Sequence, residues 1–297
     1  MEYSDYPVHA WSRSRHTMLR ICPRKALLSC QEARKGADPL AEPELRYLHE
    51  LRNRIPLQYW LDRMLQQLLR ELFYRQQPDE PMLFSTPEVV AGVLTEQFDR
   101  DLEKMLCGVS SRDHRLRFIR ELEQRPLHLS LLVKQARNRI NHICQALKKE
   151  LWQLLSATPV ISRRNIDSPL RIQINDLCCY SPTLMALERN GEFWIIGCGM
   201  DERNAVLHKF YAMNELGREP HLIRSFDYEI DSGNFSECGL NVNISLILQQ
   251  ISEDGARWNE LLQTPPDQIP GNPEHCRFCE FEHYCSKYCT ENIKLQS

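Results

Sequence analysis

Apolar residues recur at three- and four-residue intervals through "ELRYLHELRNRIPLQYWLDRMLQQLLRELF" (44–73), which predicts helix, with Pro56 marking a break or a new start. "PDEPM" (78–82) reads as a turn, and "TPEVVAGVLTEQFDRDLEKML" as a helix with Thr86 as its N-cap. "LLVKQARNRINHICQALKKELWQLLS" (131–156) predicts a long amphipathic helix with Arg137, Arg139, Lys148 and Lys149 on its polar side. The period then shortens. "LRIQINDLCCY" (170–180) and "LIRSFDYEI" (222–230) alternate, and "EFWIIGCGM" (192–200) is a short apolar run, so all three predict strands. Before 222–230 lies "NAVLHKFYAMNELG", a helix closed by Gly217. "NISLILQQISEDGARWNELLQ" (243–263) predicts another, and a Pro-rich stretch follows it into "HCRFCEFEHYC" (275–285). No internal repeat is evident.

A chain of 297 residues, 42% hydrophobic and 26% charged, is long enough for a sizeable core and ordinary for a soluble globular protein. No apolar run approaches a membrane span, and residues 1–20 lack a basic start followed by an apolar block, so no secretory leader is expected. The expected location is the cytoplasm, with no membrane partner. Twelve cysteines in that setting predict metal ligands and core residues rather than disulfides. The net charge of -3 hides an asymmetry: the first 149 residues have a cationic excess and the remainder an anionic one. The cationic residues concentrate in 11–36 and 111–149, patches that suit phosphate backbones, although basic helical faces are often merely solvated.

Cys276, Cys279 and Cys285 are spaced C-x2-C-x5-C, and three thiolates define a metal site poorly until a fourth closes it. Cys289 would complete a self-contained tetrahedral zinc site. Cys22, in "LRICPRK", would instead tie the start of the chain to its tail, and four cysteine thiolates are the usual ligand set of an iron–sulfur cluster. Spacing leaves both open.

"WSRSRHTMLRICPRKALLSC" together with the C-x2-C-x5-C tail resembles the iron–sulfur branch of RecB-like nucleases in the PD-(D/E)XK superfamily, the branch of CRISPR spacer-acquisition exonucleases and the AddB nuclease domain. The resemblance implies an α/β fold with a restriction-endonuclease-like core, a large helical N-terminal half and a C-terminal cluster tail. It divides the chain into 1–36 with the first cysteine, 37–165 helical, 166–264 as the α/β core and 265–297 as the tail. It implies a 4Fe-4S cluster on Cys22, Cys276, Cys279 and Cys285, with Cys30 and Cys289 as spare ligands; zinc, which the spacing leaves open, is the alternative cofactor.

The family's chemistry needs carboxylates that hold Mg²⁺ or Mn²⁺ and a lysine that orients water. "YSPTLMALERNGEFWIIGCGM" matches the family's two-strand pattern, yet Thr183 stands where an Asp belongs, and Gly197 and Gly199 where Asp-x-Lys belongs. Asp62 or Arg63 stands near the usual metal-binding His, and Leu207 replaces the helix Gln while Tyr211 remains. The nuclease site is therefore expected to be dead, with no catalytic metal. Regrouping of Asp176, Asp201, Glu202 and Lys209 into a displaced active site is the alternative. DNA and a protein partner subunit are the expected partners, with no small-molecule substrate. Arg13, Arg15, Arg20, Arg24, Arg137, Arg139 and Tyr211 are the candidate nucleic-acid contacts.

Overall fold

The computed structural model describes residues 10–75, 86–107, 129–265, 268–269, 271–276 and 279–285. The turn expected at 78–82, the 111–128 part of the second basic patch and Cys289 lie outside them. Ser12 ends a two-residue strand, β1 (Trp11–Ser12), and caps helix α1 (Arg13–Ile21) by accepting the Arg15 N–H at 3.4 Å. Cys22 follows in an extended conformation, closing α1 and opening α2 (Pro23–Leu27). Proline serves well there, because a first helical residue has no intrahelical use for an N–H. A π turn (Leu28–Glu32) carries α2 into α3 (Ala33–Lys35).

Pro56 separates α4 (Pro43–Asn53) from α5 (Leu57–Arg75), and α6 (Pro87–Leu106) follows Thr86. The single helix expected over 131–156 is two, α7 (Leu129–Leu147) and α8 (Glu150–Ala157), because Lys149 leaves the helical region at ψ -131°. The break has tertiary partners: Lys149 Nζ donates to the Ser232 carbonyl at 2.5 Å, and Glu150 accepts the Phe235 N–H at 2.8 Å.

The strand expected over 170–180 is a hairpin, β3 (Leu170–Ile174) and β4 (Leu177–Ser181), turning at Asn175 with φ 50°. Asparagine tolerates that left-handed conformation, and a turn of polar residues inside an alternating pattern keeps the alternation looking continuous. β1 joins this hairpin parallel to β4. A second sheet orders β2 (Arg163–Arg164), β5 (Met185–Arg189), β6 (Glu192–Gly197), β7 (Ile223–Glu229) and β8 (Asn234–Cys238). Its one parallel pair is β6–β7, joined through helix α9 (Glu202–Leu216), which Gly217 ends at φ 62°. β8 escapes the sequence pattern because it is a half-exposed edge without apolar alternation.

The fold is thus mixed α/β, and both faces of the five-stranded sheet are buried. Met185, Leu187, Ile196 and Tyr228 face α5, α6, α7 and α8. Ala186, Phe193, Ile195 and Ile223 face the smaller sheet, α9 and α10 (Ile244–Gln263). No helix among the described residues is long and apolar enough to cross a membrane.

The turn between β7 and β8 fastens the sheet to the end of α7. Gly233 there has φ 73°, and a Cβ on it would stand 2.2 Å from the Ala146 carbonyl oxygen. Both the left-handed backbone and the contact exclude a side chain. Gly233→Ala should lower the stability by about 1–3 kcal/mol, the usual cost of overpacking. Urea unfolding reads this as a lower midpoint at unchanged slope; an unmoved midpoint would contradict the packing described.

Candidate functional site

Cys22, Cys276, Cys279 and Cys285 line one cavity of about 180 Å³, with Lys25, Leu28, His275 and Phe281 among its other walls. All four are free thiols. The chain ends are brought there by packing on two sides. Leu19, Ala26 and Cys30 pack against Trp258 of α10. Leu28 and Ala33 join Leu48 and Leu51 of α4 around Phe281, which is fully buried. Cys30 thus belongs to the apolar contact with Trp258, and it does not line the cavity.

Polar contacts finish the closure. Asn272 Nδ2 donates to the Ile21 carbonyl at 2.8 Å, and Lys25 pairs with Glu280 at 2.8 Å. The Lys25 backbone N–H donates to Cys22 Sγ at 3.4 Å, and Cys276 Sγ donates to the Asn272 carbonyl at 3.3 Å. Burial pushes the Cys279 thiol up to about 11. Among the described residues no group of three or more His, Cys, Asp or Glu stands close enough to hold a single metal ion.

The strand ends at β4 and β6 form the other candidate region. Thr183 is buried and committed: its Oγ1 donates to the Asp167 carbonyl at 2.6 Å, and its own carbonyl accepts from Ser168 Oγ at 2.6 Å. A Cβ on Gly197 would meet Met200 Sδ at 2.3 Å and the Pro182 carbonyl at 2.7 Å. Gly199 has φ 66°, and its carbonyl accepts from Arg13. The other guanidinium contact of Arg13 is an ion pair with Asp201 at 3.1 Å.

Of the four residues of the displaced-site alternative, Asp201, Glu202 and Lys209 lie at the start of or on α9, and Asp176 lies elsewhere. Asp176 is exposed in the β3–β4 turn, at the opposite end of β4 from Ser181. Asp201 is the N-cap of α9 in a reciprocal capping box with Asn204, and Glu202 is exposed in the first turn. Lys209 Nζ is bound to the Gly239 carbonyl at 2.8 Å. Leu207 is buried in the core, and Tyr211 packs half-buried beside it.

The candidate nucleic-acid arginines are mostly committed to the protein itself. Arg24 is buried, facing Cys285 rather than solvent. Arg137 pairs with Asp99 at 2.6 Å, and Arg139 bridges Asp62 of α5, at 2.7 Å, to Asp231 after β7. Arg15 donates to the Ala10 carbonyl at 2.6 Å. Arg20 and Arg63 are exposed.

Two groups, one half-buried and one buried, carried no sequence signal. Asp227, opposite Gly197 in the β6–β7 register, accepts the Met200 N–H at 2.9 Å, and burial raises its carboxyl pKa. His208 on α9 is completely buried, with Nε2 at 3.0 Å from Ser181 Oγ and 3.2 Å from the Pro182 carbonyl. Asn204 donates to the same Ser181 hydroxyl at 3.1 Å. This network pins α9 to the end of β4, and an enclosed imidazole has no route to a substrate. Neither the known family models nor the curated proteins include a match to this chain.

Burial pushes His208 down to about 4 from the usual 6.5, so it is neutral in the folded protein at neutral pH. The unfolded chain takes up that proton more readily. The contribution of neutral His208 is therefore complete above about 6.5 and is lost as pH falls towards 4. Asp62 and Asp227, whose carboxyls burial raises, act in the opposite sense, favouring the folded state as they protonate. Between pH 6.5 and 4 His208→Gln should remove up to one proton's worth of slope, about 1.4 kcal/mol per pH unit, from unfolding free energy measured against pH. An unchanged slope would mean that His208 is not the titrating group.

Proposed function

We propose that the chain is a catalytically inactive RecB-like protein of the PD-(D/E)XK nuclease fold that holds a 4Fe-4S cluster on Cys22, Cys276, Cys279 and Cys285. Its role is that of a DNA-binding or structural subunit in a DNA repair or anti-phage defence complex. The observation that carries the reading is the shared cavity: a cysteine near the start of the chain lines the same space as three near its end. About 180 Å³ is room for several waters, each taking about 30 Å³ in the liquid, and so for a compact inorganic group. Four thiols fit the donor chemistry of such a cluster. When bound, the cluster supplies a covalent tie between chain ends and a one-electron redox centre. Cys22 and Cys285, both buried, would hold its inner side, and Cys276 and Cys279 its half-exposed side.

The loss of hydrolysis is argued from the strand ends. Phosphodiester cleavage needs metal-borne charge at the attacking and leaving oxygens. Thr183 is occupied by the Asp167 carbonyl, Gly197 has no room for a side chain, and the guanidinium of Arg13 already stands at Gly199 and Asp201. A cation fixed there by the chain opposes recruitment of another.

The purely structural role, without nucleic acid, has its own support, because Arg137 and Arg139 are engaged by Asp99, Asp62 and Asp231. Protein purified without air should be brown and hold about four irons and four sulfides per chain. Zinc with no iron would overturn the cluster and favour Cys289. Cys22→Ser should lose iron and become protease-sensitive, since closing a long loop restricts the unfolded chain strongly. DNA titration at two salt concentrations separates the two roles: phosphate contacts give affinity that falls steeply with salt, and the structural role gives no binding. Neither should cleave DNA with Mg²⁺ or Mn²⁺.

A further inference from the structure

His16 and Asp254 form a buried pair outside both the cysteine cavity and the strand ends. His16 lies on α1 and Asp254 on α10, with Nδ1 and Oδ2 2.7 Å apart and side-chain exposures of 8% and 14%. Trp11, Leu19, Gly255 and Trp258 line the same small enclosure. The Trp11 ring lies on one side, its centroid 6.4 Å from that of the imidazole. The far ring nitrogen, Nε2, is enclosed and has no hydrogen-bond partner among the described residues.

A neutral imidazole suits this place and a charged one does not. Neutral histidine carries one N–H, which at Nδ1 faces the Asp254 carboxylate, and leaves Nε2 as a bare acceptor. Protonation puts an N–H on Nε2 as well, and a buried donor without an acceptor keeps the full cost of its lost hydration. The new charge also arrives among cations. Arg15 lines the enclosure, and Arg20 on α1 and Arg203 on α9 oppose an imidazolium. Asp254 favours it, and so does Asp201 more weakly, but Asp201 is held by Arg13 at 3.1 Å and by the capping box of α9. Burial is the largest influence and holds the His16 pKa below the usual 6.5, against the pull of Asp254. The contribution of neutral His16 is therefore complete above about 6.5 and is lost as pH falls below it.

The pair joins a short element to a long one. Helix α1 has nine residues, and its side chains reach the rest of the chain through Leu19 on Trp258 and Arg13 at Gly199 and Asp201. Short elements with few buried contacts open locally before the whole chain unfolds. Ile21 and Cys22, at the end of α1, line the cysteine cavity, so release of α1 loosens one of its walls.

We propose that His16 and Asp254 form an acid-released latch between α1 and α10, closed while the imidazole is neutral and opened when Nε2 takes up a proton. The latch does not depend on what the cysteine cavity binds.

The test is amide hydrogen exchange of the full chain between pH 7 and pH 5, read by mass spectrometry and corrected for the intrinsic rate. In wild type, protection of 13–21 relative to α6 should fall by up to about tenfold per pH unit below about 6.5, the limit for one proton. In His16→Gln, which cannot take up the proton, the ratio should stay constant. A constant ratio in wild type, or the wild-type fall in His16→Gln, overturns the proposal. If His16→Gln does not fold, an NMR titration of the His16 imidazole in wild type decides. A midpoint below about 6.5, reached as the amides of 13–21 lose protection, supports the latch, and a midpoint at or above it overturns the latch.

Discussion

The burial of Phe281 between α4 and the π turn is the contact on which the arrangement of the chain ends depends. The first helices are short and have too little apolar surface for a core of their own. They acquire one by lying between two surfaces, α10 through Trp258 on one side and the tail through Phe281 on the other. Burying a phenyl ring completely is worth about 1.5–3 kcal/mol, more than any one polar contact around the cavity is expected to add. Once that layer is in place, β1 can join β4, and Arg13 can reach the end of β6. The cysteine cavity is the space left between the first helices and the tail.

The charge asymmetry along the sequence acquires a meaning inside this packing. Cations of the first half meet anions of the second: Arg13 with Asp201, Lys25 with Glu280, Arg139 with Asp231. Half-exposed pairs of this kind contribute at most about 1 kcal/mol each, so they orient the halves more than they stabilise them. A sequence read one half at a time shows a basic surface, whereas the folded chain spends part of that surface on its own acidic half. The exposed Arg20 is a different case, facing solvent beside the cysteine region.

Much of this was legible because local patterns have local causes. The α4–α5 break follows from Pro56, the end of α9 from Gly217, strand β6 from its apolar run and β7 from its alternation. Cys22 lines one cavity with the three tail cysteines, while Cys289, which spacing left equally open, lies outside the described residues. What failed to show depends on contacts between distant residues. Lys149 breaks a helix because Ser232 and Phe235 are near it, and nothing in 131–156 carries that information. Arg24 looks like one of several basic surface residues until Ile269 and Cys285 surround it. Asp227 and His208 matter through burial, which a single polar letter in an apolar stretch does not distinguish from exposure.

Gly197 also restricts the routes by which this sequence can change. Met200 Sδ fills the position its Cβ would need, and the Pro182 carbonyl, part of the backbone, closes the other side. A shorter residue at 200 would relieve the first contact, but only a shift of the chain at 182 relieves the second. Substitutions here are therefore ordered: the loop and residue 200 must change before residue 197 can, and each earlier step alone leaves a void without offering a new group. A carboxylate at this strand end is separated from the present sequence by intermediates that bring no benefit of their own. The packing around the glycine works as a ratchet, holding the glycine in place.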